Sequence, residues 1–442
     1  MADLAAAGST PVDPAAPPAA DSASQGSAAA TTAAPGPAEP GFAAPSPAAV
    51  GSPRPDTAAP DSVSAGSADP ADSAPLDSAA PSPPTVGAPR PDTAPGQVFA
   101  GSAGSASSAG SAGPADPAGP AKPDSAALYR TVRLIRRFEE RAIELVHAGH
   151  IFGGIHPYIG QEAIAAGTCA ALREDDLITS THRGHGHVLA KGADPARMMA
   201  EIAGRSTGLN AGRGGSMHAA DFGIGILGAN AIVGAAAPIA TGAAWAARCA
   251  GSDRVVVTYF GDGAVSQGVV LETFNMAALW RAPVVFVCEN NGFATTTRTA
   301  DVVAGSITGR AEAFGIPAER VDGMDPEDVF AATSRAVARA RREEGPTLLE
   351  CVTYRYDAHH TWEHAARPRY RTAEEVQLGR VVDPLEVQGA RIDADLRARI
   401  DADIEALLEA AVRFALESPH PDPATALDHL YADGTTARAG AI

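Results

Sequence analysis

The stretch Val255–Gly292, VVVTYFGDGAVSQGVVLETFNMAALWRAPVVFVCENNG, constrains this chain more than any other. An apolar, largely β-branched run, Val255–Phe260, breaks at Gly261-Asp262-Gly263. A helical pattern follows through Leu279, and a second apolar run, Val284–Cys288, ends at Glu289-Asn290-Asn291-Gly292. Buried strand, tight turn, helix and buried strand predict a parallel βαβ unit. In open parallel sheets, ligands sit outside the carboxyl ends of the strands, and both polar clusters fall at those ends. Gly261 and Gly263 permit a sharp bend and close approach of a ligand to main-chain N–H groups. A helix starting after Gly263 would aim its positive end at the same place and favour a phosphate. Asp262 offers a hard carboxylate oxygen and Asn291 an amide oxygen, a set suited to Mg²⁺ bridged to phosphate oxygens. A turn Asp and a strand-end Asn are the ordinary structural alternative for either residue alone. Their pairing across one unit favours the ligand.

The string GDGAVSQG…ENNGFA resembles the thiamine diphosphate signature. More closely, the chain is similar to the alpha subunit of the thiamine-dependent decarboxylating component of 2-oxo acid dehydrogenase complexes, a group that includes the pyruvate, branched-chain and acetoin enzymes. The resemblance implies an α/β fold with a parallel sheet flanked by helices. It also implies Mg²⁺ held by the side chains of Asp262 and Asn291 and the carbonyl of Phe293. Gly263 and Ala264 would give backbone N–H groups to the diphosphate.

Further motifs carry the resemblance from about Leu128 to Glu417, in family order. HPYIGQEA is similar to the family segment whose His, here His156, lies at the mouth of the active site and meets substrate or intermediate. In THRGHGH, His182, His185 and His187 lie i, i+3, i+5 in a Gly-rich stretch, which is weak evidence for a metal cluster. Arg183, beside glycines after a strand, suits an anion because its fork matches phosphate oxygens. The resemblance assigns Arg183 to the terminal phosphate with His182 as helper, and THRGHGH looks most like the acetoin branch. NAGRGGSMHAA (210–220) reads as a flexible loop that matches the family's GRGGSMH, although no role attaches to His218. Ile224–Ala247 reads as an internal helix and loop, too interrupted by Gly, Thr and Pro238 for a membrane span. Within it the resemblance places the backbone of Ala231 and Val233 against the aminopyrimidine ring. Arg355-Tyr356-Asp357-Ala358-His359-His360 departs from the family pattern: Ala358 replaces Gly and His360 replaces a Ser that regulated members phosphorylate, so that control is impossible here. An ungapped alignment makes His359 the catalytic histidine, with His360 as the alternative.

Elsewhere the spacing predicts a helix from Leu128 to about Gly149, its Arg and Glu forming a solvated or interface face. It also predicts a helix Gln161–Leu172, a strand Leu177–Thr181, a helix Pro326–Arg342, a strand Thr347–Tyr354 and a closing amphipathic helix Asp393–Glu417. Residues 1–124, almost entirely Ala, Pro, Ser, Gly and Asp, cannot bury enough apolar area to offset the entropy of ordering; the expectation is a disordered tail before one domain, 125–442. The start MADLAAAGST lacks the basic and apolar regions of a signal peptide. A net charge of −18 with no basic stripe argues against nucleic-acid binding. Four widely spaced cysteines read as buried thiols in a reducing cytoplasm.

The sequence after the tail is the size of one thiamine-superfamily domain, not two. By the resemblance, the carboxylate that the cofactor's aminopyrimidine needs should therefore come from a separate beta subunit in an α₂β₂ heterotetramer, with a lipoyl-bearing acyltransferase as acyl acceptor. The substrate would be a small 2-oxo acid or acetoin. A non-catalytic cofactor-binding subunit is the alternative, motivated by the altered Ala358-His359-His360 loop and the long tail.

Overall fold

A computed structural model of the chain describes residues 123–366 and 370–428. The tail reading, 1–124, lies outside these residues except for its last two. The core is a six-stranded sheet: β1 (Leu177–Thr181), β2 (Ile226–Asn230), β3 (Val256–Gly261), β4 (Val284–Asn290), β5 (Ala318–Asp322) and β6 (Thr347–Val352). All pairings are parallel, in the order β2-β1-β3-β4-β6-β5. The central strands read as unbroken apolar runs because they are covered on both faces. Val257, Tyr259, Val285, Val287, Leu349 and Cys351 pack into one core layer; Val256, Phe260, Val284, Phe286, Cys288 and Leu348 pack into the other. Each fully buried Val or Phe contributes about 1.5–3 kcal/mol of burial.

Register places the site. Gly261 lies beside Glu289, Asn290 beside Val352, and Thr181 beside Asn230, so five strand ends open on one edge. After β1 the chain turns one way in the sheet to β2; after β3 it proceeds the other way to β4. The crevice between β1 and β3 is therefore the topological switch point, where open α/β sheets bind ligands.

Six helices bear on the argument: α1 (Ser125–His147), α2 (Glu162–Ala170), α3 (His185–Ala190), α4 (Pro195–Ile202), α5 (Ala236–Cys249) and α6 (Gly268–Trp280). Asp124 caps α1 by accepting from the Ala126 and Ala127 N–H groups. The helix Pro326–Arg341 and the closing helix Ala394–Glu417 match their expected spans; Asp325 and Asp393 cap them. No helix among the described residues is long and apolar enough to cross a membrane.

Several expectations need correction. The segment 224–247 contains β2 as well as a helix; ILGAN lacks a β-branched run, and as an edge strand it pairs with β1 alone. The helix expected straight after Gly263 begins at Gly268, because Asp262–Ser266 form a 3-10 turn and Gln267 is extended (φ −75°, ψ 132°). The Arg and Glu of α1 are not all solvated: Arg136 and Glu139 are buried. The Gly-rich stretch 182–187 is not loop throughout, since its last three residues open α3. Gly184 starts α3, where a Cβ would meet Ser180 Oγ at 2.8 Å, and Gly186 lies against the Tyr158 ring. Of the four thiols, Cys288 and Cys351 are buried and Cys169 partly so, but Cys249 is exposed on α5.

Candidate functional site

A cavity of ≈ 260 Å³ occupies the crevice between the ends of β1 and β3. His182, Arg183, Ala231, Val233, Asp262, Gly263, Ala264, Asn291, Phe293 and His359 all line it, contributed by the ends of β1, β2, β3, β4 and β6. His156 is outside the lining but touches it, its ring 4.6 Å from that of His182 and 5.0 Å from that of His359.

One wall offers hard oxygens. Asp262 and Asn291 are 1% and 8% exposed. Asn291 donates through Nδ2 to Gln161 Oε1 at 2.9 Å, which fixes the amide, and Oδ1 accepts from the Phe293 N–H at 3.1 Å. Asp262 Oδ2 accepts from the Thr299 hydroxyl. Burial pushes the Asp262 carboxyl above the usual carboxylate range, opposed by that hydrogen bond. A desolvated carboxylate beside an oriented amide oxygen is a donor set for a hard divalent cation. Gly263 is required here, because a Cβ would come within 2.8 Å of Ala294 Cβ.

The opposite wall is cationic. Arg183 and Arg355 are 4% and 1% exposed, and among the described residues neither forms an ion pair. Arg183 donates to the Pro157 carbonyl at 2.5 Å and to His359 Nδ1 at 3.1 Å. Arg355 donates to His359 Nδ1 at 3.1 Å, Tyr370 Oη at 2.7 Å and the Thr295 carbonyl at 3.2 Å; its Nε is buried without a partner. Burial, with Arg355 nearby, lowers Arg183 to about 9. Two desolvated guanidiniums without a carboxylate are costly unless an anion joins them.

Between the walls stands a histidine cluster. One ring nitrogen each from His156, His182 and His359 lie within 4.8 Å of one another. Burial first, then the neighbouring cations and imidazoles, lowers all three, His182 to about 3 and His359 to about 2. All three are neutral at ordinary pH. The other two THRGHGH histidines, by contrast, lie elsewhere. His185 meets Glu139 at 3.1 Å and Ser216 at 2.9 Å; His187 bonds Ser180 at 2.8 Å and stacks on Tyr259 at 3.7 Å. Of the two candidates in the β6 loop, His359 lines the cavity, whereas His360 packs on His156 at 4.6 Å and abuts Gly154. Glu363 accepts from the His359 N–H at 3.1 Å and from the Tyr370 hydroxyl at 3.2 Å, which fixes that loop.

Sequence reasoning missed Gln161, Thr299, Arg355 and Tyr370 as members of the site. Gln161 and Arg355 stood inside quoted motifs without a role; nothing local distinguishes Thr299 or Tyr370. It also missed Glu201. This fully buried carboxylate on α4 accepts from the backbone N–H groups of Asn210, Gly212, Gly214 and Gly215 at 2.7–3.0 Å. The glycine-rich segment is therefore pinned. His218 stands exposed at its end.

Comparison with known proteins gives the family. Residues 130–423 match the family described as "Dehydrogenase E1 component". The chain is 42% identical to the alpha subunit of acetoin:2,6-dichlorophenolindophenol oxidoreductase of Bacillus subtilis over 311 residues, 69% of this chain and 92% of the relative. It is 45% identical to the alpha subunit of the pyruvate dehydrogenase E1 component of Rhizobium meliloti over 271 residues (61% and 77%). It is 47% identical to the acetoin enzyme's alpha subunit from Cupriavidus necator over 247 residues (53% and 74%).

Proposed function

This chain belongs to the dehydrogenase E1 component family, and from that premise we propose that it is the alpha subunit of a 2-oxo acid dehydrogenase of the pyruvate type. It is an oxidoreductase subunit of a thiamine diphosphate-dependent family. With its partner it decarboxylates a 2-oxo acid and passes the acyl group to a lipoyl-bearing acyltransferase. The observation that carries the reading is one switch-point cavity with buried, ion-pair-free Arg183 and Arg355 on one side and Asp262 with Asn291 on the other. That arrangement is complementary to an anion bridged to a divalent cation.

In this reading Asp262, Asn291 and the Phe293 carbonyl hold Mg²⁺, with Gln161 presenting Asn291. Arg183, helped by His182, binds the terminal phosphate, and the N–H groups of Gly263 and Ala264 meet the diphosphate. The backbone of Ala231 and Val233 meets the aminopyrimidine. When bound, the cofactor supplies an electron sink for cleavage next to a carbonyl. His156 and His359 line the approach as neutral imidazoles, able to hydrogen-bond substrate oxygen without adding charge beside the diphosphate.

The lining carboxylates do not provide one for the aminopyrimidine. Asp262 faces the cation position, and Glu289 is held by the Tyr158 hydroxyl and by His187 at 3.2 Å. A beta subunit would bring it. Ile232 and Val233, beside the cavity, are 72% and 52% exposed, as are Ile239, Met276 and Leu279 on α5 and α6 at 48%, 42% and 73%. An apolar area of this kind suits an obligate partner. We propose an α₂β₂ heterotetramer in a reducing cytoplasm.

The second reading is the acetoin substrate, favoured by the two acetoin relatives and by THRGHGH. Co-expression with the candidate beta subunit and dye-coupled assay of pyruvate, branched-chain 2-oxo acids and acetoin separates them. The pyruvate reading requires the highest kcat/KM with pyruvate; higher values with acetoin would replace it.

A further inference from the structure

Two guanidinium groups converge on a single imidazole nitrogen: Arg183 Nη2 and Arg355 Nη1 each lie 3.1 Å from His359 Nδ1. A guanidinium only donates, and at neutral pH both keep their protons. His359 Nδ1 must therefore present its lone pair to both, and in the neutral ring the proton sits on Nε2. An added proton at Nδ1 would face two cations and displace both hydrogen bonds. We propose that His359 acts as a neutral hydrogen-bond donor locked in the Nε2–H tautomer by Arg355 and Arg183, and that it transfers no proton in the reaction. This rests on the reading of the cavity as the thiamine diphosphate site.

The surroundings agree. The groups around the ring are Arg183 after β1, Arg355 after β6, and the neutral His156, His182 and His360; the carboxylate of Glu363 bonds the backbone N–H of His359, not the ring. Burial and the two arginines hold the imidazole at about 2. A base needs a free lone pair, and here the one at Nδ1 is doubly occupied while Nε2 has none. An acid needs an imidazolium, and that is excluded. What remains is an N–H dipole that can stabilise a developing negative oxygen without changing protonation state. Arg355 is then a positioning residue acting through His359. Arg183 has a phosphate to meet in the loaded site. Arg355 is tied to the Tyr370 hydroxyl and the Thr295 carbonyl, so it is the lasting part of the lock.

The test uses substitutions that keep one nitrogen each, in the chain assembled with its beta subunit. In His359→Gln the amide nitrogen replaces Nε2; in His359→Asn it replaces Nδ1. The proposal expects His359→Gln to keep kcat within about tenfold, His359→Asn to lose about 100-fold or more, and wild-type kcat to lack an ionisation near pH 6. Arg355→Met should lower kcat and shift the His359 Nδ1 resonance as the ring loses one of its two anchors, and Arg355→Lys, which keeps a donor there, should do so less. Equal loss in both His359 variants, with a wild-type ionisation that vanishes in both, would overturn it. A readout independent of turnover is the ¹⁵N spectrum of histidine-labelled protein, with His359 assigned by its absence in His359→Gln. A pyridine-type Nδ1 and a protonated Nε2 are expected, and a protonated Nδ1 overturns the proposal. The expected spectrum in a protein that neither binds thiamine diphosphate nor turns over would instead refute the function proposed above and leave the tautomer lock standing.

Discussion

Replacing Glu201 by Gln should unpin the segment 210–215 while leaving the sheet intact. The carboxylate is fully buried, and each oxygen accepts two backbone N–H groups: Oε2 from Asn210 and Gly212 at 2.7 and 2.9 Å, Oε1 from Gly214 and Gly215 at 2.7 and 3.0 Å. A glutamine has one oxygen. Its NH₂ must face two N–H donors and can accept from neither, so one pair of bonds is lost whichever way the amide is turned. Hydrogen bonds to a charged acceptor contribute about 1.5–3 kcal/mol each, so the loss is about 3–6 kcal/mol. Opening of this segment should become about 10²–10⁴-fold more frequent, read as faster hydrogen exchange at the amides of Asn210, Gly212, Gly214 and Gly215. Amides in β3 and β4 should keep their protection. Unchanged exchange at 210–215 would refute the claim that Glu201 organises this segment; uniform acceleration across the sheet would refute the claim that its role is local.

Arg136→Met leaves the fully buried Glu162 without its 2.5 Å partner and unpairs Asp383; the expected cost is about 3–5 kcal/mol, a fall in melting temperature of roughly 6–20 °C by calorimetry. His182 is held at about 3, below its ordinary 6.5, so in acid the unfolded chain binds the extra proton and the folded chain does not. Its contribution to stability is complete above pH 6.5 and lost as pH falls below it, at most about 1.4 kcal/mol per pH unit, so melting between pH 7.5 and 5.5 should be less pH-dependent in His182→Asn. Cys249, exposed at the C-terminal end of α5, should react with a maleimide in the isolated chain, while the buried Cys288 and Cys351 stay unreactive. Labelling of Cys288 or Cys351 as fast as Cys249 would refute the packing of the central strands.

Much of the fold is legible in the sequence because the central strands are buried on both faces. Val256–Gly261 and Val284–Asn290 read as apolar runs of strand length with polar ends, and their parallel register follows from the helix between them. The edge strand Ile226–Asn230 is not legible: its Gly and Asn carry no β signal, and pairing on one side alone makes it a strand. The site divides similarly. Asp262, Asn291 and Arg183 stand at strand ends, where position implies chemistry. Arg355 stands at a strand end as well, but its role depends on meeting Arg183 across the crevice at His359, and a long-range pair leaves no local pattern. Glu201 is invisible for the same reason, since four backbone N–H groups from a later loop define it. Arg136 and Glu139 sit on a helix whose charges look solvated, and only contact with Glu162 and His185 shows them buried.

The most direct test of the whole account is turnover of the chain co-expressed with its candidate beta subunit, assayed with and without thiamine diphosphate and Mg²⁺, beside Asp262→Ala. Turnover of a 2-oxo acid is expected only with both subunits and both cofactors, and should be lost in Asp262→Ala while that variant keeps its assembly and its melting temperature. Turnover that persists in Asp262→Ala, or without the cofactor, would contradict the assignment of this cavity.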